Sequence, residues 1–197
     1  ADDINIDEYL SDDEIPNYKT QSNNYSSDDE DKHIPYASGI TFTQHLKNQI
    51  HTYRLTENEG IITDFLVGSI DDSGYIRRDL HDILDDLAFT QNVFATESEL
   101  KRLLKIVQQL DPSGVGARDL RECLLIQLRR KEENSSRTLA IDILDNSFEH
   151  FVKKHYDKLI QKFHISEDDL KAAIKEIEKL NPKPGGSFAG NNKIAEH

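Results

Sequence analysis

The sequence predicts an all-α protein, a helical bundle built of two helical-hairpin subdomains that follow a disordered acidic N-terminal arm. From Thr41 onward, apolar residues recur at helical spacing and do not alternate as they would in strands. Helix-start motifs, in which a hydroxyl residue precedes an acid by three positions, begin at residues 56, 96 and 166. The 197 residues allow one domain or two small ones, and a hydrophobic content of 36% is enough for a modest core.

The first 33 residues differ in composition from the rest of the chain. They hold eleven carboxylates against Lys19 and Lys32, which is a net charge of −9 out of −13 for the whole chain. Because they show no sustained apolar period, they cannot offset the entropy of ordering, and we predict that residues 1–38 form a largely disordered linker. Their isolated apolar cluster is either a docking peptide that folds on binding or part of a solvated linker, and such charge runs favour the linker. The cluster consists of Ile4, Ile6, Tyr9 and Leu10.

Apolar stripes and capping motifs mark the helices in order. The predicted helices cover residues 42–50, 56–66, 77–87, 96–111, 117–131, 139–152, 156–163 and 166–180. Residues 71–74 (Asp-Asp-Ser-Gly) predict a turn, since they lack the alternating acids and the late glutamate of a calcium loop. Pro112 disfavours helical geometry at the residue before it and is expected to end the fourth helix. The fifth helix has the widest apolar stripe and is expected to be central to the core.

An internal repeat divides the helical part. Residues 96–112 align with residues 166–182 at an offset of 70, and residues 77–87 align with residues 153–163 at an offset of 76. Shared lysine and proline positions favour a duplicated helical hairpin over chance similarity between capped amphipathic helices. We therefore predict a first helical subdomain over residues 39–134 and a second over residues 135–197.

The chain bears signs of being cut from a longer protein. It contains no Met, even at position 1, and it stops shortly after a Pro/Gly-rich loop. We therefore expect the second subdomain to be truncated at its end.

No recognisable catalytic or metal-binding pattern is present, so an enzyme is not expected. The eight histidines include no pair at the i, i+4 spacing that places two ligands on one helical face. Cys123 lies on the apolar stripe of the fifth helix, where a small buried hydrophobe is expected. A single cysteine excludes an internal disulfide and fits a reducing cytoplasm. No apolar run approaches the roughly 20 residues of a membrane span.

A glycine loop, residues 111–119, joins the fourth and fifth helices. Gly114 and Gly116 precede a helix, whose exposed N–H groups are able to hold an anion. There is no Walker lysine and no preceding strand, so a chain reversal between packed helices is the favoured interpretation. The two glycines would supply left-handed or close-approach backbone geometry.

The glycine loop and its following helix carry a family resemblance. They read Asp111-Pro112-Ser113-Gly114-Val115-Gly116-Ala117-Arg118-Asp119-Leu120-Arg121-Glu122-Cys123-Leu124-Leu125-Ile126-Gln127-Leu128. This stretch resembles the signature of bacterial sigma-54 (RpoN-type) transcription factors. Residues 70–75 (Ile-Asp-Asp-Ser-Gly-Tyr) and 180–185 (Leu-Asn-Pro-Lys-Pro-Gly) resemble two further blocks of that family, in the same order and at comparable spacing. The resemblance extends over residues 40–197.

The resemblance implies a core-binding domain preceded by the family's acidic linker. Such factors bind core RNA polymerase and direct it to promoters with −24 and −12 elements, where an ATP-hydrolysing activator opens the complex. Core RNA polymerase is therefore the expected partner. Promoter DNA and the activator are expected to be contacted only through regions that this chain lacks, and no cofactor, metal or membrane is expected.

The expected polymerase contacts are charged residues near the glycine loop. They are Arg118, Arg121, Asp119, Lys101 and Lys105. The expected structural positions of the signature are Asp111, Pro112, Gly114, Val115, Gly116, Ala117, Leu120 and Leu124. A competing interpretation makes Asp111, Gly114 and Gly116 purely architectural and Asp119 a residue that only favours a helix N-terminus. The role of the arginines stays open.

A second interpretation is a helical DNA-binding module. Lys171, Lys175 and Lys179 form an i, i+4 row on one helical face. A solvated helix face is the commoner explanation of such a row, because acids are interleaved with the lysines. The overall negative charge also argues against strong non-specific binding to DNA.

Overall fold

A computed structural model describes residues 40–186, and the predicted acidic arm lies outside that range. Between these limits the chain forms nine complete helices, the first residues of a further one at 184–186 and no named strand, which confirms the all-α prediction. Their bounds are α1 Phe42–Ile50, α2 Glu57–Gly68, α3 Leu80–Gln91, α4 Glu97–Val107, α5 Leu120–Arg129, α6 Ser135–Asn146, α7 Phe148–Val152, α8 Tyr156–Phe163 and α9 Glu167–Glu178.

Hydroxyl caps begin the helices that the sequence motifs marked. Thr56 and Ser166 each form a reciprocal capping box with the acid three residues on, Glu59 and Asp169. At α4, the Thr96 hydroxyl accepts from the Glu99 backbone N–H. These side chains satisfy amide groups that the first turn leaves without a partner, so the starts of α2, α4 and α9 follow the local sequence closely.

Other helix bounds differ from the prediction. The helices α3 and α5 each begin three residues later than expected, because Asp79 and Asp119 act as their N-caps. The sixth predicted helix starts earlier, after the cap Asn134, and is broken at Ser147, whose backbone leaves helical geometry. The helix α4 ends at Val107, well before Pro112.

The helices enclose two apolar cores. The first core is built from α1 to α4 together with connection residues that include Ile70, Ile76 and Val115, and the second from α5 to α9. The helix α5 contributes Leu124, Leu125 and Leu128 to the second core, although we expected it within the first subdomain. The apolar packing thus divides at the glycine loop, whereas the subdomain boundary at residue 134 stays a prediction.

The two repeated hairpins, α3–α4 and α8–α9, share a burial pattern. Four aligned pairs are buried at the offset of 70: Leu100 and Leu170, Leu103 and Ala173, Val107 and Ile177, and Leu110 and Leu180. A left-handed residue ends the first helix of each hairpin, Asn92 at φ 53° and His164 at φ 53°. The same register therefore packs one helical hairpin against each core.

Candidate functional site

The three sequence blocks that carry the family resemblance meet in space. We call this meeting point the junction, and it comprises residues 70–76, 111–119 and 180–185. The Gly116 N–H donates to the Gly74 carbonyl at 2.9 Å, and the Ile76 N–H donates to the Ala117 carbonyl at 2.9 Å. The Gly185 N–H donates to the Ser73 carbonyl at 3.0 Å. Backbone hydrogen bonds thus tie all three blocks together.

Side chains from α5 and the first block add further hydrogen bonds across the junction. The Tyr75 hydroxyl donates to the Pro182 carbonyl at 2.5 Å, and its ring is buried with Ala117 and Cys123 in a small cluster of its own. The Gln127 amide donates to the Asn181 carbonyl at 2.6 Å and accepts from the Asn181 N–H at 2.8 Å. Since Asn181 follows the last turn of the second hairpin, these bonds hold that hairpin against the first block and α5.

Two glycines of the junction combine a positive φ with no room for a side chain. Gly114 adopts a φ of +98°, and a Cβ there would lie 2.8 Å from Gln127 Nε2 and 2.9 Å from Cys123 Sγ. Gly74 adopts a φ of +100°, and its Cβ would lie 2.8 Å from Pro184 Cγ. Positive φ and close packing both favour glycine at these positions. The glycines therefore act as architecture, in agreement with the chain-reversal interpretation.

The first block forms the turn that the sequence predicted. One carboxylate oxygen of Asp71 accepts from the N–H groups of Ser73 and Tyr75, each at 2.9 Å. The Asp71 N–H donates to the Tyr75 carbonyl at 2.8 Å. The carboxylate is thus engaged with the backbone of its own turn, which is the usual role of aspartate in such turns.

Burial makes Cys123 a poor nucleophile. It raises the pKa of the thiol to about 11, although hydrogen bonds with Tyr75 and Gln127 act in the opposite direction. The thiol therefore stays protonated at neutral pH, whereas a reactive cysteine is a thiolate.

Two side chains that sequence reasoning missed fix the start of the glycine loop. The Gln49 amide donates to the Asp111 carbonyl at 2.6 Å and accepts from the Asp111 N–H at 2.8 Å. The Arg130 guanidinium donates to the Asp111 carboxylate at 3.1 Å and to the carbonyls of Gln108 and Leu110 at 2.9 Å each. These bonds connect α1, the residues after α4 and the end of α5. The only local hint in the sequence was Arg130, a cation at the end of an apolar helix.

The remaining signature residues lie inside the fold. Pro112 follows a cis peptide bond, and its carbonyl accepts from the Val115 N–H at 3.2 Å. Val115 is fully buried in the first core, and Leu124 is fully buried in the second. Leu120 packs, partly buried, against the second core. The glycine loop therefore spans the gap between the two cores.

Arg121 and Asp119 are engaged in helix capping. The Arg121 guanidinium donates to the carbonyls of Leu144 and Asp145 at 2.7 and 2.8 Å, near the C-terminal end of α6. The Asp119 carboxylate accepts from the Glu122 N–H at 2.8 Å at the start of α5. Both side chains satisfy backbone groups that a helix end leaves without a partner. Their observed contacts are those of structural residues.

Arg118, which precedes the N-cap of α5, pairs with Glu122 in the first turn of that helix. Its guanidinium donates to both carboxylate oxygens, at 3.2 and 2.9 Å. These hydrogen bonds raise the pKa of Arg118 above its usual value. Burial raises the pKa of Glu122, but the bonds from Arg118 outweigh it and hold that pKa below its usual value. Both groups are therefore charged at neutral pH, and the arginine side chain remains 43% exposed.

Arg118 lies in an open pocket of about 410 Å³ with three other cations. We call this pocket the cationic groove, and its cations are Arg77, Arg78, Lys101 and Arg118. Contacts with the junction position two of these cations. The Arg77 guanidinium lies 4.3 Å from the Tyr75 ring centroid. Tyr75 also forms an isolated β-bridge with Ala117, the residue before Arg118. Asp79 and Glu97 also line the groove. Two of the five predicted contact residues thus come together here.

The other two groups of predicted cations lie elsewhere. Lys105 is exposed one turn beyond Lys101 on α4 but does not line the groove. On α9, Lys171 lies 3.9 Å from a carboxylate oxygen of Glu167, and Lys179 lies 3.9 Å from one of Glu176. The lysine row of α9 is therefore interleaved with acids, as the sequence indicated.

Comparison with known proteins decides the family. A family model described as "Sigma-54 factor, core binding domain" matches residues 35–196. The chain belongs to the sigma-54 factor family. The predicted resemblance is thereby confirmed, and the three blocks on which it rested are those that form the junction.

Curated relatives of this family are similar over most of the chain. The RNA polymerase sigma-54 factor of Pseudomonas aeruginosa is 30% identical over 87% of this chain and 35% of its own length. That of Azotobacter vinelandii is 31% identical over 87% of this chain and 34% of its own. That of Acidithiobacillus ferridurans is 35% identical over 81% of this chain and 34% of its own. The chain spans about a third of the length of these relatives.

The described residues show neither a metal-binding cluster nor a membrane-spanning helix. No group of three or more His, Cys, Asp or Glu side chains between residues 40 and 186 is arranged to hold a metal ion. In the same range, no helix has the length and apolar character needed to cross a membrane.

Proposed function

We propose that this chain is the part of a sigma-54-type transcription initiation factor that binds core RNA polymerase. The observation that carries the proposal is the family match over residues 35–196 to a core-binding domain. In the whole protein, this binding would allow polymerase to be directed to promoters with −24 and −12 elements under the control of an ATP-hydrolysing activator. The chain's own work would then be binding, without catalysis, in the cytoplasm where transcription takes place.

The junction supports this role because it holds two helical cores in a fixed relation. A surface that must meet a large partner gains affinity when its contact groups are already positioned before binding. Here the hydrogen bonds between Tyr75 and Pro182 and between Gln127 and Asn181 join segments more than 50 residues apart. We infer that the family signature encodes a rigid platform, and that the contacts with polymerase are made by the side chains it positions.

Within that platform we propose the cationic groove as the electrostatic contact. Arg118 and Lys101 are half-exposed, and each is paired with a carboxylate of its own chain, Glu122 and Glu97. Exposed pairs of this kind contribute little to stability, so their cations are able to exchange partners with acids of the polymerase. Lys105 extends the positive face along α4. By contrast, we assign Arg121 and Asp119 a positioning role, because their polar atoms are engaged in helix capping.

Equilibrium binding to purified core RNA polymerase tests the proposal. We expect saturable binding of the fluorescently labelled 197-residue chain, with an affinity that falls as salt is added. Arg118→Ala combined with Lys101→Ala should weaken binding by about three- to tenfold and flatten the salt dependence, since exposed charge pairs contribute up to about 1 kcal/mol each. The matched control is Lys171→Ala combined with Lys175→Ala on α9, which should bind as the unmodified chain does. Absence of saturable binding by the unmodified chain would refute the function.

DNA binding through the α9 lysines is the alternative, and the family match does not favour it. Two of the three lysines already lie near acids of their own helix. A gel-shift titration on arbitrary duplex DNA separates the alternatives. Polymerase binding as the sole role of this chain predicts no shift at physiological salt, whereas a DNA-binding face predicts a shift that weakens steeply as salt is added.

A further inference from the structure

The last turn of α3 and the connection that follows it expose two large aromatic side chains. Phe89 is 89% exposed and Phe94 is 79% exposed, more than any other large hydrophobic residue between positions 40 and 186. Ile40 and Tyr53 follow at 51% and 37%. We call residues 87–96 the aromatic tip. Isolated exposed hydrophobic residues are ordinary, but two phenylalanines within one short segment form a candidate interaction surface.

The backbone of the tip is anchored so that both rings face solvent. Leu87 and Val93 are buried on either side of Phe89 and packed into the first core. The N–H groups of Asn92 and Val93 both donate to the Leu87 carbonyl, and Asn92 takes the left-handed conformation that ends α3. Turning either ring inward would require breaking this anchored turn. The backbone geometry of the aromatic tip therefore keeps both rings exposed.

The composition of the tip matches the centre of a protein interface. Residues 87–96 read Leu-Ala-Phe-Thr-Gln-Asn-Val-Phe-Ala-Thr and contain no charged side chain, in a protein whose charged fraction is 31%. This is the longest uncharged run between residues 40 and 186. Interface centres are depleted in charge and enriched in aromatic residues.

The second hairpin keeps the same burial register with a shorter segment between its helices. Between the aligned segments, the first hairpin has eight residues, 88–95, where the second has two, 164 and 165. Leu103 and Val107 in the first hairpin, like Ala173 and Ile177 in the second, are nevertheless buried in the same register. The first hairpin is thus six residues longer than the second at this point, and its longer segment carries both exposed phenylalanines as well as the buried Val93.

We propose that Phe89 and Phe94 are aromatic anchors that insert into an apolar pocket of core RNA polymerase, an inference that rests on the proposed function. The charged residues near the tip favour a protein pocket over an anionic partner. On α3, Asp82 and Asp85 are exposed on the helical face of Phe89, two turns and one turn before it, so an anionic nucleic acid or membrane surface would be repelled from the tip. The tip and the groove residue Lys101 belong to the same hairpin, so one protein partner is able to engage both.

The test compares the unmodified 197-residue chain with Phe89→Ser, Phe94→Ser and the double variant, using binding to purified core RNA polymerase at low and high salt. We expect each single variant to weaken binding about tenfold and the double variant about 100-fold, as for anchors at an interface centre. The salt dependence should stay that of the unmodified chain, because the lost contact is apolar. Tyr53→Ser, at another exposed aromatic residue, is the matched control and should bind normally. Far-UV circular dichroism and thermal melting should be the same for all variants.

Two results would refute the aromatic tip as a polymerase contact and leave the proposed function intact. One is a double variant that binds polymerase within twofold of the unmodified chain. The other is a self-associating chain, seen by analytical ultracentrifugation, whose dimer is dissolved by the double substitution while polymerase affinity is unchanged. Failure of the unmodified chain to bind polymerase at all would instead refute both the function and the tip.

Discussion

Gly114→Ala is the sharpest test of the junction as architecture. A residue with a Cβ in left-handed backbone geometry costs about 1–2 kcal/mol, and Gly114 has a φ of +98°. The added methyl would also lie 2.8 Å from Gln127 Nε2 and 2.9 Å from Cys123 Sγ. Overpacking of that kind costs about 1–3 kcal/mol. We therefore expect the free energy of unfolding to fall by about 2–5 kcal/mol, from the 5–15 kcal/mol that is typical of a folded domain.

Urea denaturation followed by circular dichroism measures this change, and Gly60→Ala is its matched control. Gly60 lies in α2 and has nothing within 4 Å of an added Cβ. Alanine there should raise the free energy of unfolding by about 0.5–1 kcal/mol, because it improves helix propensity without a clash. If Gly114→Ala unfolds within about 0.5 kcal/mol of the unmodified chain while the control behaves as expected, the reasoning about the junction is wrong.

Two other predictions concern side chains packed beside the same glycine. Gln127→Ala should lower the free energy of unfolding by about 1–3 kcal/mol in urea denaturation, because it leaves the Asn181 N–H without its partner and the Asn181 carbonyl with only the weak Cys123 thiol donor. The exposed substitution Gln109→Ala should change that free energy by less than about 0.5 kcal/mol. The Cys123 thiol has its pKa raised from 9.0 to about 11, so the folded chain binds that proton more tightly than the unfolded chain. Stability should therefore fall as pH rises through this window, by up to about 1.4 kcal/mol per pH unit, and Cys123→Ala should remove that part of the slope in urea titrations; an unchanged slope would contradict the assignment.

The local features of the fold were readable from the sequence. The capping motifs at Thr56, Thr96 and Ser166 correctly predicted three helix starts, because a cap is an interaction within one turn. The starts of α3 and α5 were misplaced, since apolar periodicity does not show where Asp79 and Asp119 interrupt helical geometry. Periodicity also missed the break at Ser147, where Lys162 donates to the Asn146 carbonyl and the Ser147 hydroxyl.

The candidate site was only partly predictable. The sequence marked Arg118 and Lys101 as contact residues, but their neighbours Arg77 and Arg78 come from a segment that the pattern assigned to a helix. The pairing of Gln127 with Asn181 joins positions 54 residues apart, and no local pattern contains such information. The role of Arg121 also depended on tertiary structure, because its acceptors belong to the end of α6.

Hydrogen–deuterium exchange of the chain with and without core RNA polymerase tests the central claim most directly. If the junction positions one binding face formed by the α3–α4 hairpin and the glycine loop, polymerase should slow exchange in residues 77–101 and 115–120. Exchange in α9, around Lys171 and Lys175, should be unchanged. Slowing confined to α9, or no slowing anywhere at saturating polymerase, would contradict the account.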